Sequence, residues 1–380
     1  MPYAITDAGM PRPPDSRRPN ARAATLRNRM RPSDSDLQRL VFNFSASYIG
    51  GGRKRLDAFA EWFDGHGGAT FLLHPACEVL RERFPRNRYV TVRLSRFQRL
   101  LGDFGYLREA VSGRQRPALY YSYGIPIQYP IGRINWLHVN NVLPLTTERI
   151  PLTALDRLKR FHLGPKLRAS ARRCDVVSAE SENSIRLLGP ALKARAVVSV
   201  NGSDDEIASC KACTPPEVSE RTVVVVGTWR YKALDDAFAV FEWLRSHDPA
   251  LRMHVFGPPE FVPHALRNHD RVSIHGTVDR ATVVQALRTA RFYVSTTKLE
   301  NSYCAASEGM FLAEESIISD LPPHRELLIG EEFESVAAPG VTTPLLRVRR
   351  ERLKGTNLRS WDSVVRDMLE VANRLGSEPE

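Results

Sequence analysis

Cysteine is scarce in this sequence: five in 380 residues, an odd number that argues against a disulfide framework. Cys210 and Cys213 form a lone CxxC. No second pair of ligands stands at a zinc-binding spacing, so the pair reads as two reduced thiols in a linker. No stretch approaches the roughly 18 to 20 unbroken apolar residues of a membrane span. The first forty residues lack the apolar segment of a secretory signal. A cytoplasmic protein is expected. Acidic residues are outnumbered, 43 against 54 Lys and Arg, for a net charge of +11. Such an excess points to nucleic acid, anionic membranes or phosphorylated substrates. A nucleic-acid binder would show basic residues interleaved with aromatics, or a recognisable reading motif, and neither is present.

An apolar fraction of 42% with 26% charged residues is ordinary globular composition. At this length two cores are the natural division. The positive charge is concentrated in two runs. Arg81, Arg83, Arg86, Arg88, Arg93, Arg96 and Arg99 face only Glu82 between residues 81 and 99. Arg157, Lys159, Arg160, Lys166, Arg168, Arg172 and Arg173 face only Asp156 between 151 and 173. The second run lies on a helical pattern with Leu152, Leu155, Leu158, Phe161 and Leu167 as its apolar members. It is either a solvated helix face or a membrane-surface patch.

Residues 1–38 are rich in Pro and Arg without periodicity and are read as disordered. Beyond them short apolar runs alternate with amphipathic stretches. Strands are predicted at 41–44, 70–73, 89–92, 118–121, 134–137, 175–178 and 196–200. Helices are predicted at 54–63 and 77–84, and Gly50-Gly51-Gly52 is read as a turn. The pattern breaks near Asn201-Gly202-Ser203 into a polar stretch ending at Thr214-Pro215-Pro216, the best linker in the chain. A second series follows: strands at 222–226, 252–256, 271–275, 292–295 and 316–319, and helices at 234–245, 278–289, 302–312 and from 325. Such β-α alternation implies mostly parallel sheets covered by helices on both faces. The expected architecture is α/β, two Rossmann-like domains facing across a cleft. The divisions are 1–38, a first domain 39–203, a linker 204–220, a second domain 221–358, and a C-terminal helical segment 359–380 able to pack back on the first domain.

In such folds ligands bind at the carboxyl ends of the strands. After strand 222–226 comes Gly227-Thr228-Trp229-Arg230-Tyr231-Lys232. A glycine turn and two cations ahead of a helix N-terminus suit a diphosphate, although surface Arg and Lys give the same pattern. After strand 292–295 come Glu300, Asn301, Ser302, Tyr303 and, about two turns later, Glu308. Were a helix to begin at Glu300, eight residues at ~100° would return Glu308 to within about 80° of it. Both carboxylates could then accept sugar hydroxyls in one cleft, or be two ordinary helix glutamates. Asn301 and Ser302 offer N-cap chemistry at a helix end able to hold phosphate.

The E-x7-E segment, a following strand, and then Ser319-Asp320-Leu321-Pro322-Pro323-His324-Arg325-Glu326 together resemble the donor domain of retaining GT-B glycosyltransferases of family 4. The strand and glycine at 223–227 with Lys232, the Val200-Asn201-Gly202 step, and the segment from Cys174 to Ser184 are similar to further parts of that family. The glycines at 50–52 resemble its glycine-rich loop, in which Gly51 and Gly52 would let backbone approach the donor. Trp136-Leu137-His138 resembles the strand end that presents a histidine. The resemblance covers roughly residues 40 to 375. It implies that Lys232 and Arg230 neutralise the leaving diphosphate and that Glu308 holds the ribose. It also implies that Glu300 and His138 meet the donor sugar as catalytic groups. The loop of Asn301, Ser302 and Tyr303 would line that sugar, and it departs from the family's glycine-containing stretch.

What the resemblance implies is a hexose moved from a nucleotide sugar to a saccharide or lipid-linked acceptor, in cell-surface polysaccharide or lipopolysaccharide biosynthesis. No cofactor or metal is implied, since cations and a helix dipole would take that role. The basic runs, both in the acceptor-side half, would suit an anionic surface at the inner membrane face. A nucleotide-sugar epimerase on the same fold is the alternative.

Overall fold

The computed structural model describes residues 39–93, 116–146, 150, 152–189, 192, 195–203, 207 and 220–376. The 1–38 segment, Arg96, Arg99 and the Cys210–Cys213 pair lie outside them. Two seven-stranded sheets carry the chain. The first contains β1 (Leu40–Phe44), β2 (Thr70–Leu73), β3 (Arg88–Thr91), β4 (Leu119–Tyr123), β5 (Ile134–Val139), β6 (Val176–Ala179) and β7 (Ala196–Val198). Its order is β3-β2-β1-β4-β5-β6-β7, parallel throughout. The second contains β8 (Glu220–Val226), β9 (Arg252–Phe256), β10 (Val272–Gly276), β11 (Ala290–Ser295), β12 (Glu315–Ser319), β13 (Glu334–Val336) and β14 (Leu345–Arg349), in the order β10-β9-β8-β11-β12-β14-β13. Each sheet reverses its winding once, between β1 and β4 and between β8 and β11. At those switch points a crevice opens beyond the strand ends.

The valine run of β8 shows why these strands are central. Val224 enters one core cluster while Val223 and Val225 enter the other, so both faces are buried. In β1, Phe42 and Phe44 join one cluster and Val41 the opposite one. The Phe42 ring lies 4.8 Å from Phe63 and 5.3 Å from Phe71, an aromatic layer that anchors α1 (Gly50–Asp64).

The remaining helices are α2 (Leu80–Arg83), α3 (Ala154–Arg173), α4 (Glu182–Leu188), α5 (Leu234–Arg245), α6 (His264–Arg267), α7 (Arg280–Thr289), α8 (Cys304–Leu312), α9 (Pro322–Leu327) and α10 (Trp361–Gly376). The α10 helix returns to the first domain and places Val364, Val365, Met368, Leu369 and Ala372 in its aromatic core. Where the chain passes between the sheets, Ser203 and Ser360 form a parallel bridge, and Ser203 N–H donates to Arg359 O at 2.7 Å. Gly202 lies so close that an added Cβ would stand 2.5 Å from Trp361 Cδ2.

Several elements differ from the sequence reading. Residues 50–52 are not a turn but the first turn of α1, with Gly50 at φ +61° where glycine is favoured. The segment 77–84 forms only a 3₁₀ turn at Pro75–Cys77 and the short α2. The α8 helix starts at Cys304 rather than 302, and α9 starts at Pro322 rather than 325 because proline is favoured in a first turn. The antiparallel pair β13–β14 was not anticipated. Arg347 and Arg349 interrupt its apolar pattern, yet Arg347 pairs with Glu315 on β12 at 2.5 Å.

Met368→Ala should remove about 2–5 kcal/mol of stability, read as a lower denaturant midpoint. The exposed Glu370→Ala should change it by no more than about 0.5 kcal/mol.

Candidate functional site

The loops beyond β1, β4, β5 and β6 face those beyond β8 and β11, and the polar side chains gather there. In the first domain α1 begins without a side-chain cap. A Cβ on Gly52 would come within 3.0 Å of Tyr123 Cε1 and 3.2 Å of Ser47. One on Gly51 would meet Cys304 Sγ, the first residue of α8, at 3.9 Å. Glycine at 52 therefore lets α1 pack closely on Tyr123 and Ser47, and the uncapped start of α1 lies beside the uncapped start of α8 in the second domain. Lys54, one turn into α1, carries its Nζ across to Glu308 Oε1 at 2.8 Å.

In the second domain Gly227 at φ +91° turns the chain after β8 into a 3₁₀ turn, Arg230–Lys232. Thr296 Oγ1 donates to Ala233 O at 2.9 Å, and Lys298 N–H donates to Tyr231 O at 2.7 Å. The loops after β8 and β11 are thereby tied together, and Lys232 pairs with Glu300. Burial alone would lower the Lys232 pKa, but the Glu300 charge outweighs it and leaves the ammonium held above its usual range. Arg230 is exposed. Glu300 stands on the loop and Glu308 in the second turn of α8, so the shared-helix geometry considered from spacing does not apply. Each carboxylate instead meets a lysine, Glu300 from its own domain and Glu308 from the other.

Asn301 fastens the two domains together at two points. Its Nδ2 donates to Glu180 Oε2 at 2.7 Å, and its Oδ1 accepts from Ser184 Oγ at 2.8 Å. Ser302 Oγ accepts from Asn201 Nδ2 at 3.2 Å. Glu326, from the run that carried the family resemblance, accepts the N–H groups of Glu182 and Asn183 at 2.9 and 3.0 Å and so caps α4 across the cleft. The Tyr303 side chain, expected to line a sugar pocket, is packed in the core of the second domain.

The expectation that His138 meets a ligand at the strand end does not match its surroundings. Its ring is 0% exposed, stacked on Tyr123 at 5.0 Å between centroids. Ser178 Oγ takes the Trp136 Nε1–H at 2.6 Å and lies 2.8 Å from His138 Nδ1. The indole can only donate, so the serine hydrogen is free for Nδ1, and the ring proton then sits on Nε2. That atom faces Glu180 Oε1 at 3.6 Å. Burial, reinforced by the Arg55 charge, pushes the His138 pKa down to about 4. Glu180 is a residue the sequence reading missed. Burial would raise its pKa, but the His138 contact, the Arg55 charge and the Tyr123 hydroxyl at 2.9 Å together hold it below the usual range. Arg55, Lys54 and Arg280 were missed as well. The signals for Glu180, Lys54 and Arg55 were a carboxylate directly after an apolar strand at 176–179 and three cations, Arg53 to Arg55, following a glycine triplet.

No protein-family model matches the chain, and no characterised protein matches it by sequence. Its structure is similar to HepE from Anabaena, solved with UDP and glucose, at 16% identity, covering 88% of this chain and 94% of that one, with a TM-score of 0.55. A glycosyltransferase from Rickettsia africae matches at 10% identity over 90% of this chain and 99% of that chain, TM-score 0.56. An α,α-trehalose-6-phosphate synthase from Burkholderia multivorans matches at 13% identity over 90% and 91%, TM-score 0.50. The fold is GT-B. In this GT-B chain the facing loops, with Lys232, Glu300, Glu308 and Lys54, occupy the crevice between the two Rossmann-like domains.

A histidine kept neutral by the fold, with a pKa near 4 against 6.5 when unfolded, favours the native state above pH 6.5. The native chain binds fewer protons than the unfolded one between those values, so stability should fall as pH drops through that window. Denaturation at a series of pH values should show a shallower fall for His138→Gln than for the wild type.

Proposed function

We propose that this chain is a retaining glycosyltransferase of the family-4 kind, moving a hexose from a nucleotide sugar to a saccharide or lipid-linked acceptor. The observation that carries the reading is the meeting of Lys232 with Glu300, and of Glu308 with Lys54 and Arg280, at the switch-point crevice. Three cations meet two carboxylates there, with exposed Arg230 beside them, so the crevice holds a positive surplus suited to an anionic donor. HepE, of the same fold, was solved with UDP and glucose. In this reading Lys232 and Arg230 take the charge that develops on the departing diphosphate, and the facing starts of α1 and α8 add N–H donors. Glu308 accepts the ribose hydroxyls and Glu300 lies beside the transferred sugar. His138 is too deeply placed to reach that sugar past Glu180, so it acts by fixing Glu180.

Incubation with a panel of nucleotide sugars, with and without saccharide acceptors, tests the assignment. The expected result is acceptor-dependent release of nucleoside diphosphate. Lys232→Ala should lower kcat by about a hundredfold or more with little change in melting temperature. Full activity in that variant would remove the basis of the assignment.

The reading extends to an acceptor at an anionic bilayer, in polysaccharide or lipopolysaccharide assembly. On α3, the helix of the second basic run, Leu158 and Phe161 are 46% and 75% exposed. Arg157, Arg160, Arg172 and Arg173 share that helix. An exposed apolar pair among cations suits a headgroup layer. No helix among the described residues is long and apolar enough to cross a membrane. Sedimentation with anionic vesicles should exceed that with neutral ones, fall with salt, and weaken in Phe161→Ser. Equal binding to both vesicle types would count against the bilayer.

A further inference from the structure

Lys54 lies outside the loops after β8 and β11, yet its Nζ reaches Glu308 from the opposite domain. Lys54 and Glu308 are mostly buried, with side chains 15% and 13% exposed. Arg280, at the start of α7, reaches the same oxygen, Oε1, at 3.1 Å. Oε2 of Glu308 has no hydrogen-bond partner among the described residues. A carboxylate held at one oxygen by two cations is fixed in orientation, with the second oxygen presented to the crevice.

We infer that Lys54 is a positioning residue for nucleoside recognition, holding Glu308 so that Oε2 is aimed at the ribose hydroxyls. The inference rests on the nucleotide-sugar reading above and deepens it, because ribose recognition then spans both domains. The placement of α1 fits this role: its start lies beside α8, the Cβ position of Gly51 being 3.9 Å from Cys304 Sγ, so a lysine one turn later crosses the gap. Arg53, the preceding residue, turns the other way and pairs with Asp57 at 2.7 Å, so the crossing is particular to position 54. In this scheme Lys54 acts through Glu308, whereas Lys232 and Arg230 meet the leaving diphosphate. Its removal should act on binding more than on the chemical step.

Uridine, guanosine and adenosine diphosphates serve as probes, by calorimetry on the full chain, together with steady-state kinetics on the best nucleotide sugar. Lys54→Met should raise Kd for the preferred diphosphate and KM for the donor by about tenfold, with kcat changed much less. Lys54→Arg, which keeps the cation, should recover most of the loss. In the double variant with Glu308→Gln, the Lys54→Met loss should largely vanish, because Lys54 acts through that carboxylate. Wild-type Kd in Lys54→Met, tighter binding in it, or fully additive losses in the double variant would each overturn the role. If the wild type binds none of the three diphosphates, the nucleotide-sugar reading itself fails, and that outcome is distinct from the others.

Discussion

Burying a carboxylate costs several kcal/mol unless its donors are already in place, and Glu180 is buried at the seam of the two domains. Its donors come from both sides: the Tyr123 hydroxyl from β4 and the Asn301 carboxamide from the loop after β11. The position of that loop is therefore set by the first domain as much as by its own. Glu300 precedes Asn301 and Ser302 follows it, so the ion pair with Lys232 and the entry into α8 both take their geometry from this one buried charge. The neutral His138 behind it and the stacked Tyr123 ring close off water that would otherwise weaken the arrangement.

A second layer of dependence runs through charge. Glu300 is neutralised within its own domain, whereas Glu308 is shared between Arg280 and a lysine from across the crevice. The two glutamates, alike in sequence, have different electrostatic histories. The cation that meets Glu300 comes from its own domain, whereas the cations that meet Glu308 come from both.

The layered architecture was legible in the sequence because β-branched runs such as 223–226 and the β-α alternation are local signals. Both halves of the cleft could be located from strand ends for the same reason. The E-x7-E pair was visible as spacing, but its geometry was not. A helix starting at Cys304 instead of Glu300 changes which side chains share a face. Contacts made by residues far apart in the chain were beyond reach. Glu180 and Asn301 are 121 positions apart, and Lys54 and Glu308 are 254 apart. Tyr303 illustrates the opposite error, since proximity to a site in sequence says nothing about which way a ring points. Leu158 and Phe161 could be placed on a helix from sequence but their exposure could not: helical periodicity marks apolar positions without showing whether anything covers them.

The two strands of chain that pass between the domains are bonded to each other, Ser203 beside Ser360, with Trp361 lying over Gly202. Two independent tethers would leave six relative coordinates only loosely bounded. Two tethers joined at one point restrict sliding of one domain past the other more than two separate tethers would, while leaving rotation about that point. A ligand held by both Glu308 and the first domain would resist that rotation at the crevice, as the clasp at Asn301 does.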